Sequence, residues 1–218
     1  MKLKEIVRSI MVRNREKRFK NVAISNTDVT ILANNCVGRC MYHDLGLQCL
    51  SPTVNLLFGC HGYIDFVNHL DEYADADLSD TGKTAPNPSG KPFLVGLLRK
   101  DGLPDVEVVF GHYRSFEEAK TKWFERYPRI NYDKIFLVIT AMAEHEHTSI
   151  DEYTALPYPK IIFTDLPSDP ERSIMHMNIC DKSARARASL VNFVNFWGKR
   201  GYDEFNFVDG IFNRDYTK

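Results

Sequence analysis

The sequence predicts an α/β sandwich, with a mainly parallel sheet and one antiparallel strand pair. Three observations carry this. Apolar runs without alternation, such as "DVTILANN" (28–35), "KIFLVIT" (134–140) and "KIIFTD" (160–165), read as strands covered on both faces. Segments with apolar residues at helical spacing lie between them. Finally, "FLVGLLRKDGLPDVEVVF" divides around Asp101-Gly102 into two strands, hence an antiparallel pair.

In chain order, residues 1–20 predict a basic amphipathic helix with Leu3, Ile6, Val7, Ile10 and Met11 as its stripe. The first strand follows, then a helix over 37–46 and another over 61–73. The polar stretch 74–92, rich in Pro, Gly and Asp, reads as a mobile loop or subdomain boundary. After the antiparallel pair, Ser115 and Glu118 form a capping box, and Phe116, Ala119, Trp123 and Tyr127 form the stripe of the clearest helix, which Pro128 ends. A last helix is expected over 185–201, with Gly201 as its stop. The organisation is thus a basic N-terminal helix and one α/β domain over 21–218, with a division into two subdomains, if any, near 74–92.

The balance of 28 basic and 29 acidic residues argues against a nucleic-acid partner. No apolar run spans a bilayer and no secretory h-region is present, so a cytoplasmic protein is expected. Five cysteines then read as reduced thiols. The basic helix offers either a surface stripe packed on the domain or peripheral contact with an anionic membrane at its inner face. Oligomeric state is not legible.

In a parallel sheet, ligands bind beyond the carboxyl ends of strands. Polar clusters stand at such ends: Asn34-Asn35-Cys36, Gly111-His112-Tyr113, Glu144-His145-Glu146-His147 and Thr164-Asp165. Cys36, in a strand-to-helix turn, meets free backbone N–H groups that lower a thiol pKa and hold an oxyanion; composition alone favours a mere turn. The catalytic candidates are Cys36, His112 and His43; the ligand-binding candidates are Asn34, Asn35, Gly38, Ser51 and Tyr113. Adjacent helical side chains point about 100° apart, so His43-Asp44 is not a dyad by itself. His145 and His147 share a face if the segment is extended, with Glu144, Glu146 or Asp165 as third ligand, but a solvated loop is the commoner meaning and no metal is expected. Walker, Gly-x-Gly-x-x-Gly and Gly-x-Ser-x-Gly motifs are absent.

Three phrases, "NNCVGRCMYHDLGLQCLSPTVNLLF", "HYRSFEEAKTKWFERYPRINYDKIFLVIT" and "LPYPKIIFT", resemble in order and spacing a bacterial family of unknown function labelled exopolysaccharide (capsular polysaccharide) biosynthesis protein. The resemblance runs from about residue 20 to about residue 200. It implies an α/β protein serving surface-polysaccharide assembly from the cytoplasmic side, with a glycan or activated sugar as substrate. Asn35-Cys36 is also similar to a Gly-Asn-Cys-Gln stretch of capsule proteins that bind coenzyme A, although Asn34 and Val37 replace its glycine and glutamine.

Together these readings favour acyl (acetyl) transfer from acetyl-CoA to a glycan precursor. Cys36 is then nucleophile or part of the oxyanion and pantetheine turn, Asn34 and Asn35 are amide donors, and His43 or His112 is the base. Two alternatives stand beside it. One is a glycosyltransferase using a nucleotide sugar, for which Asp75-x-Asp77 has the metal-binding spacing. The other is a non-catalytic binding or scaffold protein of the assembly machinery.

Overall fold

The computed structural model describes residues 3–87, 90–177 and 190–217. Four strands run parallel in the order β1 (Thr30–Ala33), β6 (Ile135–Ala141), β7 (Lys160–Thr164) and β8 (Ile174–His176). All seven residues of β6 are buried, as its unbroken apolar run requires. Thr30 pairs with Ile135 and Ala33 with Val138, which sets β1 beside the first half of β6. Alternate residues then face two separate cores. Leu32, Leu137, Ile139 and Ile162 enter one. Ile31, Phe136, Val138 and Phe163 enter the other.

The first core joins the parallel sheet to a second, antiparallel sheet in the order β2 (Leu56–Phe58), β5 (Val106–Phe110), β4 (Phe93–Arg99) and β3 (Asp77–Ala85). Helices α3 (Cys60–Asn68) and α4 (Phe116–Arg126) add Phe66 and Trp123 to that core. Ser115 caps α4 by accepting from Glu118 N at 3.2 Å, and the Glu118 carboxylate accepts from Arg114 N at 3.0 Å. The second core is closed by α2 (Val37–Asp44) and the carboxyl-terminal segment, through Met41, Tyr42, Tyr202 and Phe212. Short helices α5 (Glu144–His147) and α6 (Ile150–Ala155) connect β6 to β7.

Three expectations are corrected. Residues 77–85 of the polar stretch form β3 rather than a loop. An edge strand with only one partner needs few apolar side chains, and the shift in register between Asp80 and Thr84, with charged Asp80 and Lys83, suits an open edge. The helix expected over 61–73 stops at Asn68 and resumes as a 3₁₀ turn at Glu72–Asp75. Of the helix expected over 185–201, residues 185–189 lie outside the described ones. Residues 192–200 instead make a reverse turn closed by a Phe193–Arg200 bridge. Asn195 Oδ1 accepts from the backbone of Trp197 and Lys199, each at 3.1 Å, which is the local competition that takes Asn out of helices.

That turn lies on α1 (Leu3–Phe19), the expected N-terminal helix. Gly198 has φ 78°, and a Cβ there would stand 2.5 Å from the Met11 carbonyl oxygen. Gly198→Ala is therefore expected to lose about 1–3 kcal/mol in urea unfolding, from the left-handed backbone and the clash together. An unchanged midpoint would show that the turn can lift off α1 at no cost.

Below the turn, Arg15 is buried. It donates to Asp203 at 2.7 and 2.8 Å, to the Gly198 carbonyl at 2.8 Å and to Tyr202 Oη at 3.1 Å. Its Nε stands 2.5 Å from Asp44 Oδ2 without pointing along it, so that contact is an ion pair. Burial alone lowers the Arg15 pKa, but the Asp203 hydrogen bond and the Tyr202 and Asp44 charges raise it overall. One arginine thus ties α1, α2 and the carboxyl-terminal segment together.

Candidate functional site

The turn after β1 is held tightly. Asn34 Nδ2 donates to the Thr140 carbonyl at 2.9 Å and its Oδ1 accepts from Thr140 N at 3.0 Å, so the side chain continues the β1–β6 ladder. Asn35 Nδ2 donates to Thr140 Oγ1 at 2.7 Å, and its Oδ1 accepts from Val37 N at 2.9 Å, serving the first turn of α2. Both amides, expected as ligand donors, are buried and engaged with Thr140. Gly38 lets α2 lie against β1, since a Cβ there would stand 3.1 Å from Ile31 Cγ2 and 3.2 Å from Ala33 Cβ. The Ser51 hydroxyl is buried between Thr53 Oγ1 at 2.9 Å and Thr53 N at 3.1 Å, and Thr53 Oγ1 accepts from Ala33 N.

Cys36 is half-buried at the start of α2. Burial pushes its thiol pKa up to about 11, the Cys40 thiol adds to this, and the Arg39 charge offsets part of it. At neutral pH the group is a thiol, not a thiolate. With the pKa raised from 9.0 to about 11, carboxymethylation of Cys36 at pH 7–8 should run roughly a hundredfold slower than after unfolding. Peptide mapping after a timed iodoacetate pulse reads this directly, and equal folded and unfolded rates would refute the buried thiol. Cys40 and Cys49 are also unbridged and raised by burial, while Cys180 lies outside the described residues.

The histidines expected to serve Cys36 are not bonded to it among the described residues. His43 is exposed at the far end of α2, about 10 Å along the axis from Cys36 at 1.5 Å per residue. Its Nδ1 is 3.8 Å from Asp44, which is occupied by Arg15 and Arg200. His112 follows β5 in the antiparallel sheet, with φ 67°, and its exposed ring meets Phe93 edge-on at 6.2 Å. Neither shares a hydrogen bond or ion pair with Cys36 among the described residues. Tyr113 is the residue the fold does bring within electrostatic reach of Cys36. Its hydroxyl donates to the Val54 carbonyl at 2.9 Å and accepts from Arg126 at 2.8 Å. Burial raises its pKa, against the Arg126 charge.

A different pair forms at the carboxyl edge of the parallel sheet. His147 Nε2 and Asp165 Oδ1 are 2.7 Å apart, both partly buried, one after β6 and the other after β7. Glu146 builds the approach. Its fully buried Oε2 accepts from Met142 N at 2.9 Å and Ala143 N at 2.8 Å, fixing the turn from which His147 projects. Because 144–147 is helical, His145 and His147 point about 200° apart, and the shared face expected of an extended segment is absent. His145 is exposed. Further along the chain, the buried Ser149 Oγ has no hydrogen-bond partner among the described residues, and Tyr153 Oη stands beside Cys60 and Asn34 without an aligned one. Unsatisfied buried hydroxyls of this kind mark water or ligand positions. A groove of about 590 Å³ opens along Leu166, Ser168, Asp169 and Arg172, beginning one residue past Asp165 and reaching Ile150.

The family described as "Domain of unknown function (DUF1919)" matches residues 6–211, nearly the whole chain. The chain belongs to the DUF1919 family. The matched span includes most of α1 with Arg15, the Cys36 turn, the His147–Asp165 pair and Asp203. A Haemophilus influenzae protein titled "Uncharacterized protein" is 28% identical over 202 residues, covering 90% of this chain and 92% of its own. Among the described residues of this DUF1919 protein, no helix is long and apolar enough to cross a membrane.

Sequence reasoning names His147 and Asp165 as polar residues after strands and as members of a metal set, but not as a pair. The signal it lacks is the strand order. Only the parallel pairing of β6 with β7 places the residues after these two strands side by side.

Proposed function

We propose that this DUF1919 protein is a transferase of surface-polysaccharide assembly that moves an acyl group from a thioester, of the acetyl-coenzyme A kind, to a sugar hydroxyl. The single observation that carries the reading is the 2.7 Å His147–Asp165 pair at the carboxyl edge of the parallel sheet. With Nε2–H donated to Asp165, Nδ1 carries a lone pair and accepts the hydroxyl proton. The hydroxyl oxygen forms the new ester bond at the thioester carbonyl, the C–S bond breaks, and the departing thiolate takes up the proton. Asp165 holds the ring and steadies its cationic form. Cys36, protonated at neutral pH, is not required as nucleophile, so transfer is direct.

The glycan setting comes from the resemblance of the long phrases around Cys36 and α4, and the cytoplasmic side is where acyl thioesters and reduced thiols are found. The glycosyl-transfer alternative gains nothing from Asp75 and Asp77. Asp75 pairs with Lys100 and Asp77 with Lys120, and neither aspartate lines the groove. The test is made in cells. A strain lacking the gene is complemented with wild type or with His147→Ala, and ester-linked acetyl on its surface polysaccharide is measured by NMR. Acetyl restored by wild type and not by the variant supports the reading; equal restoration, or polymer acetylation indifferent to the gene, overturns it.

A further inference from the structure

We infer that α1 and the 194–197 turn together form a docking surface for an anionic lipid bilayer. Val194, Phe196 and Trp197 are among the few large apolar side chains left in water, with Trp197 75% exposed and Phe196 49%. They stand side by side, the Phe196 and Trp197 rings 6.4 Å apart. The turn is fastened to α1: Asn14 Nδ2 donates to the Phe196 carbonyl at 3.0 Å, and Gly198 rests on the Met11–Arg15 backbone.

From Asn14, steps of three and four residues lead back through Met11 and Ile10 to Val7 and Ile6, and then to Leu3. Leu3 is 76% exposed and Ile6 36%. The apolar stripe of the helix and the aromatic tip of the turn are therefore one continuous strip, built from the two ends of the sequence.

Charge says what covers this strip. By helical spacing Arg13 stands beside this strip and Lys17 within it, with Arg8 further round the helix and Lys20 just past its end, all exposed; Lys199 follows the aromatic pair. On α1 only Glu5 and Glu16 oppose them. Aromatic and aliphatic side chains on one face, framed by cations, form the pattern that settles into the headgroup region of an anionic bilayer. The helix alone lacks an exposed aromatic anchor; the carboxyl-terminal segment supplies it. A second copy of the chain would bring the same cations face to face, which disfavours self-association through this strip.

The test uses the full chain and needs no turnover, so its result is independent of the proposed activity. The protein is mixed with vesicles of phosphatidylcholine, with and without about one-third phosphatidylglycerol. Trp123 is buried, so any shift in tryptophan emission reports Trp197. Expected are co-sedimentation and a blue shift with the anionic vesicles only, both reversed by about 0.5 M salt. Phe196→Ser with Trp197→Ser should cut partitioning roughly tenfold or more, as loss of two buried apolar side chains implies. Arg13→Glu with Lys17→Glu should weaken it while leaving Trp197 in place. Absence of binding to anionic vesicles overturns the inference. So does undiminished binding by the serine variant, or a self-association in ultracentrifugation that this variant abolishes without any vesicle binding.

Discussion

Asp44→Ala should lower the unfolding free energy by about 3–5 kcal/mol, the cost of breaking a buried ion pair from one side. The Asp44 side chain is 3% exposed and faces two arginines, Arg15 Nε at 2.5 Å and Arg200 Nε at 3.3 Å, and it also accepts from the Tyr202 hydroxyl. Its removal leaves Arg200 without that partner and Arg15 with Asp203 as its one remaining carboxylate among the described residues, inside a shell from which water cannot be recruited cheaply. For a chain of this size the expected fall in Tm is on the order of 10 °C. Asp44→Asn keeps the shape and some hydrogen bonding and should lose less. Urea unfolding at neutral pH checks both, and a loss under about 1 kcal/mol for Asp44→Ala would mean that the cluster is hydrated and only marginally useful.

His147→Ala should reduce acyl transfer by roughly 10²–10⁴-fold, the usual worth of a positioned general base. Asp165→Asn should retain more activity, because the amide can still orient the ring while losing the charge that steadies its protonated form. Global stability should change little in either variant. The pair is partly exposed, and β6 and β7 are held by ladders and apolar contacts in which these two side chains take no part. Measuring initial thiol release alongside thermal melts separates the two effects. A His147→Ala protein that melts normally and transfers at the wild-type rate would remove the dyad from the mechanism.

Which parts of this were readable from sequence follows from the range of the forces involved. The strands β1, β6 and β7 are legible because burial on both faces writes an unbroken apolar run, and α4 because its cap lies within four residues of its stripe. The turn at Asn34-Asn35-Cys36 is placed correctly, but the work of its asparagines is not. Thr140, their partner, is 105–106 residues away. Asp44 is similar: helical spacing already argues against a dyad with His43, but its actual partners, Arg15, Arg200 and Tyr202, lie far away in sequence. Edge strand β3 is hidden because a strand with one covered face and an open edge has a loop's composition. His147 and Asp165 are both visible as polar residues after strands, yet their pairing depends on which strands are neighbours.

The Arg15 cluster also has a temporal side. Gly198, Tyr202 and Asp203 lie 183 to 188 residues downstream of the arginine they surround. At ordinary elongation rates the ribosome takes about 10–40 s to cover that interval. Throughout it, α1 cannot take its final seat, because the groups that seat it have not yet been made. α1 thus waits for residues 198–203 before it is fixed, and until they emerge the nascent chain carries a cationic amphipathic segment whose arginine has Asp44 but not Asp203 to face.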